Sequence, residues 1–300
     1  MLRHLLIAAT LCATVSARGE GPATPAKQQA VLVTGASSGI GLKVTERLAA
    51  DGYFVYAGAR KEKDLEALGK LKNVQPLRLD VTNATDIAAA VEAVAQGGRG
   101  LHGLVNNAGI ASIGSFADTT EDDFDLVMKV NAYGPWRVTK AFTPLLTASK
   151  GRITTIGSIS GILSTKDLGV YSMTKHAVEA YTDSLAAQMA PLGVRVSVIE
   201  PGNYNSEIGR NAAQRLGFTS RLADRSQYKE PDDVAAAVEH ALFAPAPKRR
   251  YMVVPSQLEA QITIRKAIEE LVQLNQGQPF SYNRDALVKM LDEALAAPVN

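Results

Sequence analysis

Short runs of apolar and β-branched residues alternate along the chain with longer stretches whose apolar positions recur every three or four residues. The strand-like runs are Ala30 to Val33, Phe54 to Ala57, Val74 to Leu79, Gly103 to Asn106, Arg152 to Ile156, Arg195 to Ile199 and Tyr251 to Val254. They are apolar toward both faces, as parallel strands covered by helices are. Between them, sets such as Ile40, Val44 and Leu48, or Ile87, Val91 and Val94, fall on one side of a 3.6-residue helix. The alternation predicts an α/β fold: a doubly wound, parallel, seven-stranded sheet with helices on both faces. No internal repeat interrupts it.

Three regions depart from the alternation. Residues 203–228 are polar and irregular and read as a lid over a site. Residues 256–300 have helical periodicity broken by GQPFSYN and read as a helical extension. At the start, Arg3 precedes an apolar stretch from Leu5 to Val15, with small residues up to Ala17 and a Gly/Pro/Ala linker after it. That stretch, about 11 residues, is shorter than the roughly 20 that span a bilayer, so no transmembrane span is expected. Residues 1–26 read as a signal peptide and linker, which implies export to a periplasm or secretory lumen. An uncleaved interfacial segment or a misplaced start codon, with a cytoplasmic protein, is the alternative.

Composition narrows the classes. Thirty-two basic and 30 acidic residues nearly cancel, and clusters such as Lys248 to Arg250 are short and lack an aromatic platform, which argues against nucleic acid. The single cysteine, Cys12, lies in the leader, and His4, His102, His176 and His240 are scattered without ligand spacing. Neither a disulfide framework nor a metal site is expected.

Several motifs fall at strand ends. VLVTGASSGIGL carries Gly35, Ser37, Ser38, Gly39, Ile40 and Gly41 from the first strand into a helix. Glycines there allow a tight turn and close approach to a pyrophosphate, and the helix start offers free N–H groups. The second strand ends in YAGAR. An arginine at that point pairs with a ribose 2′-phosphate where an acid would take the 2′-hydroxyl, so Ala59 and Arg60 favour NADP over NAD. Alternatively Arg60 is a solvated charge opening the run KEKD. Asp80 and Val81 in LDVT suit an adenine ring, and Asp80 equally suits a helix cap. Asn107, Ala108 and Gly109 in NNAG allow side-chain amides to tie backbone segments together.

In YSMTK, Tyr171 and Lys175 are four residues apart and share one helix face. A phenol with a pKa near 10 is a poor base at neutral pH, and a nearby ammonium favours its phenolate form. The spacing alone is common. Its weight comes from order: the glycine turn, NNAG, Asn131 in VNAYG, Ser158 in IGSIS, then Tyr171 and Lys175. His176, adjacent to Lys175, points elsewhere on a helix and is not expected to be a second base.

TGASSGIG, NNAG, Ser158 and YSMTK together resemble the short-chain dehydrogenase/reductase superfamily in its ordinary-length branch, over roughly residues 27–255. The resemblance implies a Rossmann-fold NAD(P)-binding catalytic domain there. It implies Ser158 as hydrogen-bond donor to the substrate oxygen, Tyr171 as acid/base, Lys175 on the nicotinamide ribose, and Asn131 holding a relay water through its backbone. Pro201 and Gly202 in EPGNYNS would shape the nicotinamide pocket. Ser206 stands where a threonine is commoner and retains the hydroxyl. The extended members that epimerise or dehydrate nucleotide sugars carry T-G-x-x-G-x-x-G instead, which is not seen. A nonenzymatic dinucleotide sensor on the same fold would be expected to lose Tyr171 or Lys175.

The implied activity is hydride transfer between NADP and a small-molecule alcohol or carbonyl. Gly161, Ile162, Leu163 and Leu168 suggest an apolar mouth for steroid- or retinoid-like substrates. Trp136 and its aromatic neighbours read as core or subunit contacts, in keeping with an expected homodimer or homotetramer.

Overall fold

The first apolar run becomes β1 (Ala30–Thr34), and the glycine turn leads into α1 (Gly39–Ala50). The structure, a computed structural model, describes residues 28–217 and 226–297. The expected signal segment, and residues 218–225 of the expected lid, lie outside the described residues.

The chain continues through β2 (Phe54–Ala59), α2 (Glu62–Leu68), β3 (Val74–Arg78), α3 (Ala84–Gln96) and β4 (Gly103–Asn106). Then follow α4 (Glu121–Asn131), α5 (Tyr133–Ala148), β5 (Arg152–Ile156), α6 (Gly169–Met189) and β6 (Arg195–Pro201). Next are α7 (Ile208–Leu216), α8 (Asp232–Phe243), β7 (Arg250–Val253), α9 (Gln257–Asn275) and α10 (Arg284–Ala296).

The seven strands are parallel, in the order β3-β2-β1-β4-β5-β6-β7. Succession runs outward from β1 in one direction and from β4 in the other, so the topological switch lies between these two strands. In such sheets the crevice outside the carboxyl ends at the switch is where ligands bind.

Period-two alternation divides the core. On β1, Val31 and Val33 face Val44 and Leu48 of α1 and Val234, Val238 and Leu242 of α8. Leu32 faces the opposite layer with Ile87 and Val94 of α3, Val138, Phe142 and Leu146 of α5, and Met189 of α6. Both faces are covered, which is why the strands read as continuous apolar runs.

Some boundaries move. β6 runs two residues beyond the expected Ile199, because Pro201 still pairs with Val253 while the donor is Gly202, 2.8 Å from the Val253 carbonyl. Residues 203–228, expected to be irregular, contain α7, whose buried stripe is Gly209, Ala212 and Ala213. Small residues make a weak periodic signal. Asp80 does not cap α3: Asn83 does, accepting from Thr85 and Asp86, while Asp80 closes the preceding turn. Trp136, on α5, is half exposed and is not a core residue.

After β7 the GQPFSYN segment separates α9 from α10. The Asn275 side chain clips it by bonding the Tyr282 N–H and carbonyl at 2.8 and 2.9 Å, and Asn283 caps α10. Among the described residues no helix is long and apolar enough to cross a membrane.

Candidate active site

The carboxyl ends of β1, β4, β5 and β6 lie side by side and carry the motifs. After β1, Gly35 has φ +64°, and a Cβ there would lie 2.9 Å from the Ala108 Cα. A Cβ on Gly41 would overlap the Gly35 carbonyl oxygen and the Asn107 amide nitrogen, so only glycine lets α1 start this close to β4. Ser38 precedes α1 in an extended conformation, its side chain makes no capping bond, and no acid occupies the first turn. Ser37, Ser38, Gly39 and Ile40 therefore present a helix start whose N–H groups no side chain of the helix claims. The cradle fits a dinucleotide pyrophosphate.

Beside this turn, Thr34 and Asn107 lock the switch point. The Asn107 and Ala108 N–H groups both donate to Thr34 Oγ1 at 3.0 Å, and Asn107 Nδ2 donates to the Thr34 and Gly35 carbonyls at 2.9 and 3.0 Å. Gly109 follows, and a Cβ on it would stand 3.5 Å from Asn131 Oδ1. The amides of NNAG do tie neighbouring backbone together.

At the end of β2, Arg60 is 61% exposed and its Nη1 lies 3.7 Å from Asp80 Oδ2. Asp80 Oδ1 accepts from both the N–H and the hydroxyl of Thr82. Burial pushes the Asp80 carboxyl up, but the Thr82 bonds and the Arg60 charge outweigh it and hold it below the usual range. Val81 is buried against Gly134 at the start of α5.

Asn131 ends α4 and its side chain is fully engaged. Oδ1 accepts from the Ile110 N–H at 2.9 Å, while Nδ2 donates to the Ile110 carbonyl at 2.8 Å and to Thr174 Oγ1 at 3.1 Å. Thr174 in turn donates to the Tyr171 carbonyl at 2.7 Å. The loop after β4 is thus joined to the helix bearing Tyr171.

Ser158 follows β5 and opens a single 3₁₀ turn, Ile159–Gly161. It is 9% exposed, and its Oγ accepts from the Ser160 N–H at 3.1 Å. The opening turns of α6 carry half-buried Tyr171 and buried Lys175, whose ammonium is 5.5 Å from the Tyr171 ring centre. Lys175 Nζ donates to the Ile156 carbonyl at 2.8 Å, two residues before Ser158. His176 bonds the Ser172 carbonyl.

At the end of β6, Pro201 is followed by Gly202 and a loop that places Ser206 against the glycine turn, 3.2 Å from where a Gly39 Cβ would be. Glu259 of α9 accepts from the Asn203 N–H at 2.9 Å. The expected residues therefore lie along the carboxyl end of the sheet, from Arg60 and Asp80 after β2 and β3 to Pro201 and Gly202 at the end of β6.

Several contributors escaped the sequence reading. Thr34 and Thr174 stand inside TGASSGIG and YSMTK but have no role assigned there, and their hydroxyls connect motif residues that are distant in sequence. Glu259 lies in the extension, far from any motif. Arg215 of α7 pairs with buried Asp123 of α4 and donates to the Ala111 carbonyl at 2.6 Å, while Ser112 donates to Asp123.

A Rossmann crevice with a serine, tyrosine and lysine gathered at its mouth defines a nicotinamide-dependent oxidoreductase. Residues 29–217 match the short chain dehydrogenase family, and the chain belongs to it, as an enzyme acting on CH–OH groups with NAD(P). It is 33% identical over 267 residues to the mitochondrial D-beta-hydroxybutyrate dehydrogenase of Mus musculus, covering 76% of this chain and 78% of that protein. It is 35% identical over 209 residues to Retinol dehydrogenase 5 of Mus musculus, covering 68% and 65% of the two chains. Among solved structures it is similar to a short chain dehydrogenase from Burkholderia cenocepacia in complex with NADP. There the TM-score is 0.67 at 25% identity, covering 84% of this chain and 99% of that one.

Replacing Thr34 by valine keeps the shape but strands two N–H groups, at Asn107 and Ala108. Chemical denaturation should show a loss of about 1–3 kcal/mol, with weaker dinucleotide binding. An unchanged unfolding midpoint would show that the hydroxyl does not hold the switch point.

Proposed function

We propose that this enzyme reduces a hydrophobic, steroid- or retinoid-like carbonyl with NADPH, Tyr171 serving as the proton donor and Ser158 holding the substrate oxygen. The observation that carries this is the Lys175 ammonium. It is 6% exposed, has three donor hydrogens, and among the described residues gives one of them to the Ile156 carbonyl. A buried ammonium is costly unless its hydrogens are satisfied, and ribose hydroxyls of a dinucleotide suit the rest.

Bound NADPH supplies the hydride that reaches the carbonyl carbon. Tyr171 gives its proton to the carbonyl oxygen. Ser158 Oγ already accepts from Ser160, so its own O–H is left to donate to that same oxygen. With its side chain committed to Ile110 and Thr174, Asn131 acts in the relay through its backbone. Pro201, Gly202 and Ser206 line the nicotinamide end, and the glycine turn with Asn107, Ala108 and Gly109 lines the pyrophosphate side. Alcohol oxidation runs through the same residues in reverse.

Among the described residues, α7 offers no unpaired arginine to a charged substrate, which favours an uncharged one. Arg215 is committed to Asp123, and Arg210 on the same helix to Glu207, so neither stands ready for a substrate carboxylate. Of the two relatives described above, the name of one specifies retinol and that of the other a hydroxy acid; the ion pairs of α7 support the first kind of substrate. Tyr171→Phe should lower kcat by about 10²-fold or more on a panel of hydrophobic ketones and aldehydes, with dinucleotide affinity preserved. Turnover confined to polyols, or a Tyr171→Phe enzyme retaining most of its rate, would overturn the assignment.

The preference for NADP rests on Arg60, with Asp80 as its neighbour at the adenosine end. Arg60→Asp should shift the ratio of NADP to NAD affinity toward NAD by about tenfold or more, read by fluorescence titration with each dinucleotide. An unchanged ratio would leave Arg60 as a solvated surface charge.

A homodimer or homotetramer is supported by half-exposed Tyr133 and Trp136 on α5, beside a groove shared with Tyr181, Leu185 and Gln188 of α6. Trp136→Glu should reduce the molar mass measured by light scattering, and a wild-type monomer at working concentration would contradict the assembly.

A further inference from the structure

Behind the Ser158 turn lies a pair of acids that the chemistry above does not use. Glu179 is one helical turn beyond Lys175 on α6, and Glu200 sits on β6 immediately before Pro201. Their carboxyls lie close enough together to meet one guanidinium, that of Arg250. Glu179 Oε1 is buried with no hydrogen-bond partner among the described residues, and buried Glu200 Oε1 has only a long ion-pair contact with Arg250. Two carboxylates turned toward one cation offer only acceptors, and a proton held by the pair supplies the missing donor.

The surrounding charges do not remove the need for that proton. From β7, Arg250 Nε lies 3.1 Å from Glu179 Oε2 and 3.5 Å from Glu200 Oε1, but the same guanidinium also donates to Asp183 of α6 at 2.8 Å. Arg249 reaches Asp183 at 3.9 Å, and Lys175 is directed to the Ile156 carbonyl. The Ser158 turn, residues 157–162, contains no ionisable side chain. Burial first, and for Glu200 the adjoining Glu179 next, push both carboxyls above their ordinary range.

Glu179 also touches the turn itself. A Cβ on Gly157 would stand 3.1 Å from Glu179 Oε1, and one on Gly161 would stand 3.1 Å from the same oxygen. These two glycines bracket Ser158, Ile159 and Ser160. The Gly157 N–H donates to the Ile199 carbonyl at 2.7 Å, next to Glu200, and the Gly161 N–H donates to the Ser158 carbonyl at 2.8 Å. The Glu179 carboxyl therefore forms the floor of the turn, and β6 supports the carboxyl.

We propose that Glu179 and Glu200 share a single proton and act together as positioning residues, holding the Ser158 turn against β6. The positioning half rests on the reading of Ser158 as the donor to the substrate oxygen. The folded chain keeps a proton that the unfolded chain releases near the ordinary glutamate value of 4.5. Stability from the pair is therefore present in full below that value and is lost as pH rises toward the raised folded value.

The test uses the full chain. Melting temperature is measured from about pH 5 to about pH 8.5, and kcat, KM and dinucleotide affinity are measured with the best carbonyl substrate. The wild-type melting temperature should fall across this window, and Glu200→Gln, whose amide carries its own donor, should flatten the fall. Glu179→Ala should lower kcat about tenfold or more with little change in dinucleotide affinity, and Glu179→Gln should recover most of that rate. Equal pH slopes in the wild type and Glu200→Gln would overturn the shared proton, and an undiminished kcat in Glu179→Ala would overturn the positioning role. If the alanine variant does not fold, Glu179→Gln with Glu200→Gln still decides through the slope. An unaffected Ser158→Ala enzyme would overturn the reading of Ser158 alone, leaving the melting slopes to decide the shared proton.

Discussion

The hydrogen bonds between Thr34 and Asn107 are the constraint on which the crevice depends. At the topological switch β1 and β4 are neighbours whose chains leave for opposite sides of the sheet, so the backbone beyond their last paired residues has no ladder to complete. The Thr34 hydroxyl and the Asn107 amide satisfy that backbone internally. In doing so they fix the distance between the glycine turn and the loop after β4. That short distance is what forbids a side chain at Gly41. From the same loop, bonds run through Ile110 to Asn131, from Asn131 to Thr174, and from Thr174 to the Tyr171 carbonyl. The place where the phosphates would lie and the helix that carries the phenol are therefore linked by short polar contacts, and small displacements at one are felt at the other.

Much of this was legible because the residues that do chemistry lie in compact, ordered motifs. TGASSGIG, NNAG, Ser158 and YSMTK announce the crevice because their glycines, amides and hydroxyls have few other reasons to stand at successive strand ends. The seven strands were legible because each is buried on both faces. What connects the motifs was not legible. Thr34 and Thr174 belong to TGASSGIG and YSMTK, but the motifs do not tell which groups their hydroxyls meet, because the partners lie 73 and 43 residues away in sequence. α7 was missed because an apolar stripe of glycine and alanine hardly differs from a polar loop. Asp80 was open to two readings because an aspartate just before a helix serves a cap or a turn equally well, and the choice depended on Asn83 three residues later.

The polar groups of the crevice divide into those satisfied within the chain and those with capacity left over. The Asn131 amide, the Asn107 side chain and one lone pair of Ser158 Oγ are taken by neighbours, and they hold shape. Lys175 and the Ser158 O–H retain donors, and Ser38 at the start of α1 retains a side chain that caps nothing. Unspent hydrogen-bonding capacity in a mostly buried place opposes folding of the empty chain and favours whatever ligand completes it. A dinucleotide would do so at two points at once, with phosphates at α1 and ribose at Lys175, and would leave the Ser158 O–H for the oxygen of its co-substrate. The separation of satisfied from unsatisfied groups is thus itself a description of the ligand, and it requires one long enough to reach from the β1 end to the β5 end of the sheet.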